Sequence, residues 1–496
     1  MTEQDDVLAL LGNPALWGGA VPERVDTHIS AVFLGKERVL KLKKAVRLPF
    51  LDFSTVEARR QACEAEVSVN LRAAPALYQG VSAITREADG RLALDGAGAP
   101  VDWVVRMRRF DAAGLFSTLA AAGKLDRTLL EELTEAVVRF HAVAPVRRNR
   151  GGVKGLRWTI DTNRESMLPA VPGTFTAEEA ERLAAHSGGW LLKLAAMLES
   201  RRERGLVRQC HGDLHLGNIC MFEGRPTLFD AIEFSQDIAC IDVFYDLAFL
   251  LMDLDCRGDR AAASLVLNHY LDLTGDYEGA AGLPLFLSLR AGVRAHVSAT
   301  MGDRDGARRY LDAALAYLAP PVPRLVAVGG LSGSGKSRMG RDLAPFLAVP
   351  GAAVIRTDAL RKQLMGRPLH EKLGPEGYTD DVTDCTYRAL YETSARMLAA
   401  GHSVVADAVF AKPEQRAAIE AVARAAGVRF DGLWLDAPPE VVRERIAKRR
   451  RNASDATVEV FERQLTYDIG PLAWRRIDSG QPKDATLATG RAVLGV

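Results

Sequence analysis

A chain of 496 residues with 64 Lys and Arg against 63 Asp and Glu carries a formal charge of +1. That balance excludes a whole-surface field for nucleic acid or an anionic membrane and favours small, soluble acceptors. Hydrophobic residues at 48% and charged residues at 26% are ordinary globular composition, enough for several cores.

No stretch approaches the ~18 uninterrupted apolar residues of a membrane helix. The acidic start Met1-Thr-Glu-Gln-Asp-Asp6 lacks the layout of a signal peptide. Six cysteines (Cys63, Cys210, Cys220, Cys240, Cys256, Cys385) are scattered without a C-x-x-C pair. Buried structural thiols in a reduced, cytoplasmic compartment are therefore expected.

In chain order, Val32–Leu34 and Val39–Leu42 read as two paired strands turned at Gly35-Lys-Glu37. Phe53–Ala74 is helical in composition, with Val56, Cys63, Val67 and Leu71 near helical spacing. Trp103–Met107 is another β-rich run. From about 114 the chain turns mostly helical, most clearly at Leu129–Val143 and Glu178–Leu198, and Leu247–Leu254 reads as a buried helix. Three prolines in the four residues 320–323 suit a stiff connector and mark the main domain boundary. Strands at Leu325–Val328, Ala353–Arg356, Ser403–Asp407 and Gly432–Leu435 then alternate with helices at Ser337–Phe346, Glu414–Ala425 and Glu440–Arg449. Such alternation predicts a parallel sheet covered by helices.

The exception inside the helical region is Cys210-His211-Gly-Asp213-Leu-His215-Leu-Gly-Asn218-Ile219, followed by Leu228-Phe-Asp230-Ala-Ile-Glu233. Phosphoryl transfer needs a carboxylate near the acceptor hydroxyl, which Asp213 supplies, and oxygen ligands for Mg²⁺, which Asn218 and Asp230 supply. A short hairpin between Ile219 and Phe229 brings them together, and His211 braces the loop. This block resembles the aminoglycoside phosphotransferase and choline kinase superfamily, whose H-G-D-x-x-x-x-N is present in full. Asp242-Val-Phe-Tyr-Asp246 resembles the stretch that follows it there. The resemblance implies a strand lysine on the nucleotide phosphates, Lys41 with Lys43 as runner-up, and a helix Glu partner, Glu66 with Glu64 close behind.

Further on, Gly330-Leu-Ser-Gly333-Ser334-Gly335-Lys336-Ser337 matches G-x-x-x-x-G-K-[ST] between an apolar strand and a helix. Its glycines let backbone N–H groups cradle phosphates, Lys336 reaches the β/γ-phosphates and the Ser337 hydroxyl ligates Mg²⁺. Asp358 follows the second strand, where it can take a proton from an attacking hydroxyl or cap the next helix. Arg361, three residues on, can hold a polar acceptor. Asp407, at a strand tip, orients Mg²⁺ through water or caps a turn. The run Arg443–Arg451 supplies lid arginines, with Arg445, Arg449 and Arg450 all open to that role, or simply suits a helix C-terminus. Residues 323–496 resemble the small P-loop kinases that phosphorylate hydroxyls: the gluconate and shikimate kinase group, chloramphenicol phosphotransferase, zeta toxins and polynucleotide 5′-kinases. The resemblance implies Asp358 as base, Arg361 as its partner and an R-x-x-x-R lid, which Arg445–Arg449 meets.

The expected fold is an α+β two-lobed protein-kinase-like domain over residues 1–319 (N-lobe about 1–110, C-lobe about 111–319), then an α/β P-loop NTPase domain with a parallel sheet over 323–496. The expected function is a bifunctional ATP- and Mg²⁺-dependent phosphotransferase, each domain acting on a hydroxyl of a small molecule. Two alternatives stand beside it: one catalytic domain controlled by a nucleotide-sensing partner domain, and a C-terminal polynucleotide or toxin-like kinase whose basic run would meet nucleic acid. Acceptors and oligomeric state are not legible.

Overall fold

The computed structural model describes residues 3–48, 51–448, 455 and 457–496. Arg449 and Arg450, two of the lid arginines of the sequence reading, lie outside the described residues. The chain forms two compact units, Met1–Thr159 with Leu191–Leu250, and Ile160–Trp190 with Leu251–Val496.

In the first unit, β1 (Glu23–Asp26), β2 (Ser30–Leu34) and β3 (Arg38–Lys43) form an antiparallel meander. A two-residue ladder of β4 (Arg47–Leu48) with β5 (Leu51–Asp52) leads into the helix Val56–Asn70, whose N-cap Thr55 accepts from the Ala58 N–H. The strands β6 (Tyr78–Arg86), β7 (Leu92–Leu94) and β8 (Ala99–Arg108) complete a six-stranded sheet of order β1-β2-β3-β8-β6-β7. Strand alternation divides its side chains between two cores. Val39, Val105 and Met107 pack with Cys63 and Val67 of the helix, while Phe33, Leu40 and Leu42 pack with Val7 and Leu11 of the N-terminal helix Glu3–Gly12. Helix Arg127–Val143 forms as expected, capped by Asp126.

After β9 (Val207–Gln209) comes the anticipated hairpin, β10 (Ile219–Phe222) with β11 (Arg225–Leu228). Its turn residues Glu223 and Gly224 both have positive φ, 49° and 76°, the backbone that a two-residue hairpin turn requires. β12 (Cys240–Asp242) returns to pair with β9.

The second unit contains β13 (Arg324–Gly329), β14 (Ala353–Arg356), β15 (Val404–Asp407), β16 (Arg429–Asp436) and β17 (Arg475–Asp478). All its pairings are parallel, in the order β14-β15-β13-β16-β17. Val326, Val328, Val354, Val405, Leu433 and Ile477 bury against Met339, Leu343 and Leu494 of the flanking helices. β14 lies at the sheet edge. Helix Arg260–Thr274 covers it: Asn268 Oδ1 accepts from the Val354 N–H at 2.7 Å, and its Nδ2 donates to the Ala352 carbonyl at 3.1 Å.

The cysteine expectation needs one correction. Cys63, Cys210, Cys220 and Cys240 are buried, but Cys256 is half-buried and Cys385 is exposed. Cys385 belongs to helix Asp380–Ala399, which turns Thr386, Tyr387 and Leu390 inward and so leaves Cys385 on the solvent side. Among the described residues no helix is long and apolar enough to cross a membrane.

Candidate active sites

Lys41 and Lys43 alternate with Leu40 and Leu42 along β3, so both ammonium groups leave the sheet on the face of helix Val56–Asn70. Glu66, wholly buried on that helix, lies 2.9 Å from Lys41 Nζ and 2.5 Å from Lys43 Nζ. Lys41 extends to Asp230 Oδ1 at 2.5 Å, and Lys43 pairs with Glu233. Glu64 points outward and pairs with Arg60 at 2.6 Å. Burial opposes the charge on Lys41, yet the carboxylates of Asp230 and Glu66 outweigh it and hold its pKa well above the ordinary lysine value. Glu66 is subject to the same burial penalty, but Lys41 and Lys43 overcome it and lower its pKa from 4.5 to about 2.

A pH dependence follows. A carboxyl whose folded pKa is depressed adds stability that is complete above 4.5 and is lost as pH falls toward about 2. Glu66→Gln is expected to be less stable than the parent at neutral pH, with the gap between their urea midpoints shrinking as pH drops below about 4.5. A gap that stays constant from neutral pH to about 3 refutes this linkage.

The catalytic-type loop is braced from beneath. Asp246 accepts from the Gly212 N–H at 2.9 Å and the His211 N–H at 3.1 Å, and bonds His141 Nε2 at 3.1 Å. Burial lowers the His211 pKa, so its neutral ring donates from Nε2 to the Phe229 carbonyl at 2.9 Å. His211 therefore ties the loop to the end of the hairpin. Asn218 Nδ2 donates to Asp213 Oδ2 at 2.8 Å and to the Asp213 carbonyl at 3.0 Å, leaving the amide oxygen for a cation. His215 Nδ1 accepts from the Gly217 N–H, which puts the ring proton on Nε2, 3.4 Å from Asp213 Oδ2. Asp230 sits at φ 62°, and its N–H donates to the Tyr78 hydroxyl at 3.2 Å. Amide and carboxylate oxygens of this kind suit Mg²⁺.

In the second unit the loop between β13 and helix Lys336–Leu343 carries Gly330, Gly333 and Gly335 at φ 135°, 87° and 97°. A Cβ at Gly333 would lie 2.5 Å from Val442 Cγ1, so only glycine fits both the backbone and the space. Lys336 Nζ donates to the Leu331 carbonyl at 2.9 Å, closing the loop. Ser479 donates to the Ser334 carbonyl at 2.7 Å, and the Ser332 N–H donates to Gln464 Oε1 at 2.7 Å. A cavity of about 300 Å³ is lined by Ser334, Lys336, Ser337, Asp358, Asp407 and Arg445, among others.

Asp407, at the tip of β15, is bonded by the Ser337 hydroxyl; burial raises its pKa against the pull of Arg356 and Lys336. Asp358 lies in the first turn of helix Thr357–Leu364, but Arg356 holds the N-cap position, so the capping alternative for Asp358 is not what forms. Arg445 Nη2 donates to the Ser479 carbonyl at 2.7 Å. Arg361 donates to the Gly377 carbonyl at 2.6 Å, and its guanidinium lies 4.8 Å from the centroid of the Tyr378 ring. The 3₁₀ turn Pro375–Tyr378 captures it.

Sequence reasoning assigned no role to Arg356, Glu233, Gln464 or Ser479. Glu233 stands inside a quoted motif, and Arg356 ends an expected strand. Ser479 follows β17, a strand concealed because Arg475-Arg-Ile-Asp478 carries a single apolar residue.

Residues 46–283 match the model of the phosphotransferase enzyme family, and residues 325–467 match that of an AAA domain. Uncharacterized proteins of Mycobacterium tuberculosis and Mycobacterium bovis are 28% identical over 485 residues, covering 93% of this chain and 93% of theirs. A choline/ethanolamine kinase family protein from Mesorhizobium loti is 16% identical, covering 64% of this chain and 94% of its own, with a TM-score of 0.39. The Mycobacterium tuberculosis APS kinase, solved with AMPPNP and APS, is 23% identical, covering 36% of this chain and 99% of its own, with a TM-score of 0.28.

Proposed function

From a phosphotransferase-family region followed by a P-loop kinase-like region, we propose that the chain, read as kinase domains at 1–319 and 323–496, phosphorylates hydroxyl groups of small molecules at two independent sites. The observation that carries this reading is that two sites sharing no residue each combine a lysine with carboxylates: Lys41 with Asp230 beside Asp213, and Lys336 with Asp358 and Asp407 around one cavity.

MgATP supplies the phosphoryl group at both. In the first, Lys41, oriented by Glu66, meets the nucleotide phosphates, Asn218 and Asp230 offer oxygens to Mg²⁺, and Asp213 takes the acceptor's proton. In the second, the N–H groups of Gly333–Ser337 and Lys336 bind the phosphates, Ser337 and Asp407 orient the cation, and Asp358 takes the proton. Arg445 stands on the cavity wall to neutralise developing charge. The basic run favours this over a polynucleotide acceptor, because its described members are engaged within the chain: Arg443 with Glu462 at 2.7 Å, Lys448 with Glu444, and Arg445 with Ser479.

The test is a metabolite extract incubated with ATP and the full chain, scanned for masses that gain one phosphoryl group. Asp213→Ala is expected to remove one set of products and Lys336→Ala another. No ATP-dependent gain, or all gains abolished by one variant alone, defeats the two-site reading.

A further inference from the structure

Helix Arg260–Thr274 does more than cover β14. Its last turn carries Asp272, wholly buried, whose Oδ2 accepts from Arg356 Nη1 at 2.8 Å and Arg341 Nη2 at 3.1 Å. Arg356 ends β14, two residues before Asp358, and Arg341 lies on the helix that follows the phosphate loop. On its other side Arg356 Nε lies 3.6 Å from Asp407 Oδ2, too far for a hydrogen bond, and Nε and Nη2 are buried without a hydrogen-bond partner. Three buried charges therefore stand in a row, Asp272–Arg356–Asp407, and the guanidinium is bonded to the member remote from the cavity. Gln363 Nε2 reinforces the arrangement by donating to the carbonyls of Leu271 and Asp272 at 3.2 and 3.0 Å.

We propose that Asp272 is a positioning residue of the P-loop site: by bonding Arg356 it holds that guanidinium at ion-pair distance from Asp407 without a hydrogen bond, so the Asp407 oxygens stay available to the hydrated cation. The inference rests on the nucleotide reading of that cavity. A buried guanidinium deprived of its carboxylate seeks the nearest alternative, because an unpaired buried charge is strongly unfavourable. That alternative is Asp407. An arginine seated on Asp407 competes with Mg²⁺, while loss of the Asp272 negative charge favours a metal-free nucleotide. The two effects have opposite signs, and mere loss of structure cannot produce that combination.

The experiment uses the full chain carrying Lys41→Ala, which is expected to weaken nucleotide binding at the first site, and follows a fluorescent ATP analogue in EDTA and across a Mg²⁺ titration. In this background Asp272→Asn is expected to raise the Mg²⁺ concentration for half-maximal tightening about tenfold or more, with the EDTA affinity unchanged or tighter. Adding Arg356→Met to Asp272→Asn is expected to return the Mg²⁺ midpoint to the parent value, since the guanidinium that would seat on Asp407 is then gone. This double variant carries the test even if Asp272→Asn folds poorly. Equal weakening with and without Mg²⁺, or a double variant that keeps the shifted midpoint, overturns the proposal. A parent whose analogue binding is insensitive to Lys336→Ala overturns the nucleotide reading together with it.

Discussion

Asp213→Ala is expected to lower kcat for the first site's acceptor by about 10²–10⁴-fold, the range of a lost general base, with the KM for ATP nearly unchanged. The split follows from geometry. Asp213 is held by Asn218 at 2.8 Å and faces the opening of the loop with 35% of its side chain exposed, whereas the groups assigned to the nucleotide are Lys41, Asn218 and Asp230. Lys41→Ala should behave in the opposite sense and raise the ATP KM. Steady-state kinetics with varied ATP and saturating acceptor separates the two, and a rise in ATP KM with constant kcat in Asp213→Ala would show that Asp213 is not the base.

Lys336→Ala is expected to reduce turnover at the second site by about 10²–10³-fold, the cost of losing one preorganised donor from a site where phosphate charge develops. Lys336 is 9% exposed and folded onto the Leu331 carbonyl inside a loop with little spare room, since a Cβ at Gly330 would already lie 2.5 Å from the Leu435 carbonyl oxygen. Lys336→Arg should therefore fail to rescue, because a planar fork needs more space than an ammonium. Recovery of more than about half the parental rate by arginine would mean that the site needs only a positive charge nearby.

The parts of both sites written in consecutive residues were legible. The glycine loop, the hairpin after Asn218 and the strand tips at Arg356 and Asp407 follow from short-range patterns, and β14 forms over the very residues expected. Less legible was the choice between neighbours. Glu64 and Glu66 are two residues apart on one helix, and only the direction of the sheet decides that Glu66 is buried while Glu64 meets Arg60. Arg361 shows the other limit. Its capture by Gly377 and Tyr378 depends on a turn that no spacing rule ties to helix Thr357–Leu364. The same holds for Asp272 and Arg356, which lie 84 residues apart.

Asn268 stands where a further strand would lie, its amide answering both the N–H of Val354 and the carbonyl of Ala352. That helix precedes β14 in the chain, so it is synthesised before the strand whose open side it covers. An exposed strand edge invites pairing with other chains. Here the protection is encoded upstream of the proline-rich connector, and the stretch after it inherits a safeguard that it does not itself carry.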